Sequence, residues 1–152
     1  MPTRAALGDA LDRVESNWRL TGASDHRVSE ALYLHDPEDN GVYVYRDRPR
    51  EEWPTGDGRV AMDTLALDFD TLREAATGAG GAPDRTDVGH VHLEATDLSA
   101  ARAFYVDALG LDVRQEWDGA LFAAAGGPDV CGTGEGLAVA DPDGIGLRVR
   151  PV

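Results

Sequence analysis

Two segments 105 residues apart share a pattern that constrains the fold more than any other part of the chain. Residues 32–44 and 137–149 are identical at five of thirteen positions, and in each an Asp-Pro dipeptide separates two apolar runs. Apolar runs around such a turn predict a β-hairpin. The recurrence indicates a duplicated unit of one helix and several strands. The residues that coincide are Leu32, Asp36, Pro37, Gly41 and Val44 with Leu137, Asp141, Pro142, Gly146 and Val149.

The remaining patterns complete two similar halves. Apolar residues at helical spacing predict a helix that begins after Thr3, and Asp68 and Asp97 are predicted caps of two more helices. Val88 to Ala95 alternates as a strand, and further strands are predicted near residues 111–117 and 120–125. The first half is thus α-β-β-β without an opening strand, and the second is β-α-β-β-β. These patterns predict an α+β fold of paired βαβββ modules, residues 1–80 and 81–152, that together form one domain.

The charge balance excludes two classes of partner. The chain has 28 acidic and 14 basic residues, for a net charge of −14, and every basic residue is Arg. Such a body is repelled by nucleic-acid phosphates and by anionic membrane surfaces, so neither is an expected partner. Tolerance of this self-repulsion predicts adaptation to concentrated salt, which screens charge. A GC-rich genome that prefers Arg codons is the alternative explanation.

The expected location of the protein in the cell follows from its cysteine content and from its first residues. Cys131 is the single cysteine in the sequence, so no internal disulfide can form, as is typical of a reducing cytosol. Neither a signal peptide nor an apolar run of the roughly 20 residues that span a bilayer is recognisable. We therefore expect a cytoplasmic protein.

The strongest signal for chemistry is Gly89-His90-Val91-His92-Leu93-Glu94. On a strand, His90, His92 and Glu94 share one face, and imidazole and carboxylate groups bind Fe(II), Mn(II) or Zn(II). The three positions span roughly 13 Å at about 3.3 Å per residue, so at least one further ligand must come from elsewhere. His26 is the candidate from the first half. The alternative is that this strand face is simply solvated.

A family resemblance joins these signals. Residues 87–93, 96–105 and 109–113 resemble the opening of a module in the vicinal oxygen chelate superfamily, which includes glyoxalases, bleomycin-resistance proteins and extradiol dioxygenases. Residues 21–34, with Asp36-Pro37 and Asn40-Gly41 after them, are similar to the bacterial catechol-2,3-dioxygenase-like branch, as are residues 47–53 and 62–65. Relatives are about twice as long, so the chain resembles an internal piece.

The resemblance implies a curved sheet that encloses a metal, Fe(II) or Mn(II) in extradiol enzymes. His90 falls where such modules have a first-strand ligand, and His92 is the implied catalytic residue beside it. Relatives have a glutamate ligand in the last strand of a module. Tyr43 and Arg148 stand at those places, which leaves Glu94 as a substitute carboxylate.

Several functions remain open at this point. The first is a metal-dependent dioxygenase of the extradiol catechol ring-cleavage type, or a glyoxalase-like protein, with full or impaired activity. Its substrate would be a small molecule, with an aromatic compound as one candidate. The second is a non-catalytic small-ligand-binding module of the bleomycin-resistance type. The third is a relic without chemistry. The missing opening strand exposes a sheet edge, and covering it predicts a homodimer.

Overall fold

The chain forms α-helices and antiparallel β-strands. The computed structural model describes residues 1–56, 59–61, 63–117, 119–124, 137–140 and 146–149. They form two units, Met1–Asp87 and Val88–Val152. Since both contain helices and antiparallel sheets, the predicted α+β class is confirmed, whereas the paired modules, their boundary after residue 80 and the missing opening strand stay predictions.

The first unit contains two α-helices, a three-stranded sheet and a small two-stranded one. Its helices are α1 (Arg4–Asn17) and α2 (Phe69–Ala75), its main strands are β1 (Gly22–Asp25), β2 (Ser29–His35) and β3 (Gly41–Asp47), and its short elements are a 3-10 turn (Arg50–Glu52), β4 (Thr55–Gly56) and β5 (Arg59–Val60). The main sheet has the order β1-β2-β3 with both pairs antiparallel. The predicted first hairpin is therefore confirmed.

Local hydrogen bonds explain where these elements begin and turn. The Thr3 side chain accepts a bond from the Ala6 N–H at 3.1 Å, and the Asp68 carboxylate accepts one from the Thr71 N–H at 3.1 Å. Each satisfies a backbone donor that the first helical turn leaves unpaired. In the hairpin turn, Asp36 Oδ1 accepts bonds from the backbone N–H groups of Glu38 and Asn40, both at 2.9 Å. These short polar side chains fix the predicted boundaries because they bind their own neighbouring backbone.

The core lies between the two helices and one face of the sheet. Five leucines form its centre, and they are Leu7, Leu11, Leu32, Leu67 and Leu72. The helices approach closely at Gly8, where an added Cβ would lie 2.6 Å from the Leu72 carbonyl oxygen. A side chain there would push α2 away, so the glycine permits the contact that closes the core.

A buried carboxylate ties α1 to the segment after α2. Asp9 is 4% exposed, and it accepts hydrogen bonds from the Thr77 N–H and the Gly78 N–H at 2.7 Å each and from the Thr77 hydroxyl at 2.8 Å. Burial acts to raise the pKa of Asp9, but the hydrogen bonds from Thr77, Gly78 and Ala79 outweigh it and lower that pKa. Folding therefore favours the charged form of this group.

This shift predicts a pH dependence of stability. A group whose folded pKa is lowered contributes stability above its unfolded pKa of about 3.9, and that stability is lost as pH falls through the folded value. We expect the wild-type free energy of unfolding to fall as pH drops below about 5 and through the lowered folded pKa of Asp9. Asp9→Asn should reduce that fall while it destabilises the unit at pH 7. Urea unfolding across pH measures both. Asp12→Asn, an exposed change on the same helix, controls for the lost charge and should stay near wild type at pH 7. An unchanged pH profile in Asp9→Asn would contradict the assignment.

The second unit confirms its predicted helix and the pairing of its last strands. It contains α3 (Leu98–Arg102), a π-helical turn (Ala103–Ala108), and the antiparallel pairs β6 (Asp112–Trp117) with β7 (Ala120–Ala124) and β8 (Leu137–Ala140) with β9 (Gly146–Val149). Asp97 caps α3 through the N–H groups of Ser99 and Ala100, as predicted. The predicted turn at residues 141–144 and the loop with Cys131 lie outside the described residues.

One predicted strand is wrong. Residues 88–95 belong to none of the sheets formed by the described part of the chain. Alternation in a sequence indicates which side chains share a face, but a strand also needs a neighbouring strand for its backbone.

In the described ranges, no helix is long and apolar enough to cross a membrane.

Candidate functional site

The main sheet of the first unit has one face on the core and one that carries tyrosines. Successive side chains of a strand point to opposite faces. Leu32, Val44 and Ala23 contact the core, and they lie in register across the three strands. Their neighbours therefore point away from the helices. We call this opposite surface the tyrosine face, and its residues are Ser24, Ala31, Tyr33, Tyr43 and Tyr45.

Beside the tyrosine face, the His26 ring forms a short hydrogen bond with the hydroxyl of Tyr33. His26 Nε2 lies 2.5 Å from the Tyr33 hydroxyl oxygen, and Nδ1 lies 3.0 Å from the Asp63 carbonyl oxygen. A carbonyl can only accept, so in the neutral ring Nδ1 carries the proton and donates it to Asp63. Nε2 must then accept from the Tyr33 hydroxyl. The backbone carbonyl thus sets the tautomer of His26, and the tautomer sets the direction in which the Tyr33 hydroxyl points.

A strained turn holds His26 in this position. The His26 N–H donates to the Ser29 carbonyl at 2.8 Å, and Arg27 has a φ of 66°, in the left-handed region that few non-glycine residues adopt. The Arg27 N–H donates to Asp25 Oδ1 at 2.8 Å, which stabilises this conformation. On the other side, residues 63–65 lie against the end of β1 through two bonds between Asp25 and Leu65, of 2.9 and 3.0 Å. The turn and this segment together place the imidazole.

Tyr33 has close contacts with both neighbouring strands. Its ring lies 4.9 Å, centroid to centroid, from the Tyr43 ring at an angle of 69°, the edge-to-face arrangement that aromatic pairs favour. On β1, an added Cβ at Gly22 would lie 3.2 Å from Tyr33 Cδ2. Glycine at this strand position lets the ring lie close to the backbone. Tyr43 is 46% exposed, so about half of its side chain is in contact with solvent.

A polar cleft opens beside the same turn. Its volume is about 340 Å³, and it is lined by Asp25, Arg27, Arg48, Glu52 and Pro54. Within the described residues, Arg48 Nη2 donates to Asp25 Oδ2 at 2.8 Å, while the buried Nε of Arg48 has no hydrogen-bond partner. The cleft mixes both signs of charge, so it favours neither a simple anion nor a simple cation.

The structure distributes the predicted site residues between the two units. His26 lies in the first unit with both ring nitrogens hydrogen bonded, and His90, His92 and Glu94 lie in the second with exposed side chains. Across the described ranges, no three His, Cys, Asp or Glu side chains are grouped so that they could hold a metal. To become a ligand, His26 would have to release one of its two hydrogen bonds. The ligand set stays a prediction.

Sequence patterns indicate His26 but neither its hydrogen-bond partners, Tyr33 and Asp63, nor the glycine that lies beside Tyr33. Tyr33 lies inside a predicted strand, where an aromatic residue is ordinary, and Gly22 lies in a polar stretch before it. Alternation along β2 could have placed Tyr33 on the face opposite Leu32. The contact with Asp63 has no sequence signal, because it joins residues separated by 37 positions.

One comparison with known proteins bears on function. The chain is 44% identical over 132 residues to a protein of Bacillus subtilis (strain 168) named catechol-2,3-dioxygenase. That match covers 84% of this chain and 46% of the relative, so the chain spans about half the length of the relative it matches. The similarity supports a relationship to extradiol dioxygenase-like proteins of the vicinal oxygen chelate superfamily. No family model matches the chain, and neither does any solved structure.

Proposed function

We propose that the chain is part of an extradiol dioxygenase-like oxidoreductase that acts on a small aromatic substrate of the catechol class. The observation that carries this proposal is the 44% identity to the Bacillus catechol-2,3-dioxygenase. The relative's name also suggests a divalent metal, Fe(II) or Mn(II), which would bring the substrate oxygens and O₂ together when bound. The tyrosine face adds support, since aromatic side chains contact aromatic rings favourably.

For the metal, we propose His90 as the first ligand, with Glu94 and His26 as further ligands and His92 as the catalytic group beside them. Imidazole and carboxylate are the donors that Fe(II) and Mn(II) use in open sites. The side chains of His90 and Glu94 are exposed, so a metal can reach them without breaking a core. His26 is the weakest member of this set because its two hydrogen bonds compete with a metal.

The alternative is a non-catalytic module that binds a small aromatic ligand. It is favoured by one specific observation, that both nitrogens of His26 serve hydrogen bonds to Tyr33 and Asp63. In this alternative the chain binds its ligand without a metal. Impaired activity, a homodimer, a cytoplasmic location and adaptation to concentrated salt also stay predictions.

Metal content of variants tests the enzyme proposal. We expect protein prepared without oxygen and reconstituted with Fe(II) or Mn(II) to bind about one metal per chain, and His90→Ala to weaken that binding by roughly tenfold or more, since a lost ligand costs at least what a lost supporting contact does. Elemental analysis and a catechol ring-cleavage assay measure the two results. His35→Ala is the matched control, because His35 is an exposed histidine whose Nδ1 is paired with Asp39 Oδ1 at 2.7 Å.

Two outcomes contradict this proposal. If the wild-type protein takes up neither metal after reconstitution, the metal-dependent enzyme is contradicted and the non-catalytic binding module remains. Equal loss of metal in His90→Ala and His35→Ala would mean that the ion is held nonspecifically by the acidic surface.

A further inference from the structure

We propose that the tyrosine face binds a hydroxylated aromatic ring directly, without a metal, and that Tyr33 accepts the hydrogen bond of the ligand hydroxyl. The proposal takes its ligand class, a catechol, from the proposed function and adds the residues that bind it. It makes His26 a positioning residue for Tyr33 instead of a metal ligand.

The direction of the hydrogen bonds decides what the ligand must be. His26 Nδ1–H donates to the Asp63 carbonyl, so Nε2 accepts from the Tyr33 hydroxyl at 2.5 Å. A tyrosine oxygen that has given its proton to one partner keeps lone pairs that accept a further bond. A ligand at this oxygen must therefore be a donor. A phenol or a catechol meets this condition, whereas an aromatic methyl ether does not.

The chain of bonds strengthens that preference. The ligand O–H would donate to Tyr33, Tyr33 donates to His26, and His26 donates to a backbone carbonyl whose segment is paired with β1. Successive donors that point the same way polarise one another, so each bond reinforces the next. The last acceptor belongs to the backbone and cannot rotate away.

The aromatic part of the surface matches the ring of such a ligand. Tyr43 meets Tyr33 edge to face at 4.9 Å and is 46% exposed, so a ligand ring can contact its exposed part. The nearby Ala31 and Ser24 are small and buried, which leaves the tyrosine rings as the prominent contacts. Gly22 keeps the Tyr33 ring against β1, since a Cβ there would approach its Cδ2 to 3.2 Å.

Ligand binding to metal-free protein tests the proposal. The full chain, treated with EDTA, is titrated with catechol and separately with 1,2-dimethoxybenzene, and binding is followed by calorimetry and by the NMR amide signals of β1 to β3. We expect catechol to bind at least about tenfold more tightly than the dimethyl ether, the ratio that one hydrogen bond of ordinary strength produces. The perturbed amides should be those of residues 22–33 and 43–45.

Variants separate the hydroxyl from the ring. Tyr33→Phe should abolish the preference for catechol over the ether, and Tyr43→Ala should weaken both ligands to a similar degree. His26→Gln should reduce the preference while far-UV circular dichroism stays unchanged, because it disturbs the orientation of Tyr33 and not the sheet. Tyr105→Phe, in the second unit, is the matched control and should leave binding unchanged.

Every outcome of the wild-type titration is decisive. Equal affinity for catechol and its ether, no binding of catechol, or amide shifts confined to residues 88–95 would each overturn the proposal, even if Tyr33→Phe failed to fold. These results are independent of ring cleavage because no metal is present. A chain that binds metal and cleaves catechol but shows no metal-free preference would support the proposed function and contradict this site.

Discussion

Glu30→Gln is expected to lower the free energy of unfolding of the first unit by about 3 kcal/mol, because it removes the charge from a buried ion cluster. Glu30 is 2% exposed. Its Oε1 and Oε2 accept bonds from Arg4 Nε at 3.0 and 3.1 Å, and ion pairs to Arg46 and Arg48 lie at 3.4 and 3.6 Å. Three guanidinium groups from α1, β3 and the segment after β3 thus converge on one carboxylate.

The cost arises from the arginines that remain. An amide neutralises none of their charge, and a cation left without its counterion at a buried position is far less stable than one in water. The side chain of Arg46 is 12% exposed, so it has little access to compensating solvent. Arg4 also donates to the Thr71 carbonyl at 2.8 Å, so disturbing it loosens the contact between α1 and α2.

A surface pair supplies the control. Glu15 pairs with Arg73 at 2.8 Å, with both side chains at least 40% exposed. Exposed pairs contribute roughly 0–1 kcal/mol, so Glu15→Gln should change stability little. Urea unfolding followed by the amide signals of β2 measures both variants in dilute buffer and in concentrated KCl. The effect of Glu30→Gln should persist in salt because buried pairs are screened much less than exposed ones. Equal effects of the two substitutions would show that the cluster is not a buried one.

Capping and turn chemistry made much of the first unit predictable. Thr3, Asp68 and Asp36 bind backbone groups within four residues of themselves. Interactions over so short a distance can be predicted from the local sequence alone. The hairpin of β2 and β3 followed for the same reason. Local chemistry of this kind is encoded over a few residues, and the structure confirms it.

Interactions between distant segments were not predictable in the same way. Glu30 is one of 28 acidic residues, and nothing in its neighbourhood distinguishes it from a solvated one before Arg4 and Arg46 are brought to it. The strand predicted over residues 88–95 was wrong for a related reason, since its pattern contains no information about a partner strand. The sequence identifies His26 as a candidate metal ligand. Its tautomer, however, depends on the carbonyl of Asp63, and only folding brings that residue beside it.

Leu32→Ala should destabilise the first unit by about 3–4 kcal/mol, the range for a leucine removed from a tightly packed core. Leu32 is fully buried on the middle strand, where it packs with Leu7, Leu11 and the other core leucines between sheet and helices. Its backbone is paired with β1 and β3, so the sheet cannot easily collapse into the space that a lost isobutyl group leaves. Both the lost burial and the cavity therefore contribute.

Val42→Ala is the matched control on the same side of the sheet. Val42 lies near the start of β3, opposite Leu34, and is 37% exposed, so its truncation should cost less than about 1 kcal/mol. Urea midpoints at an unchanged slope measure both changes. Because Leu32 and Tyr33 are neighbours on opposite faces of β2, loss of Leu32 should also disturb the His26–Tyr33 contact, visible as a weaker preference for catechol over its dimethyl ether. A small effect of Leu32→Ala on stability would mean that the core is not packed on this face of the sheet. The inference that the tyrosine face lies on the opposite side would then also be contradicted.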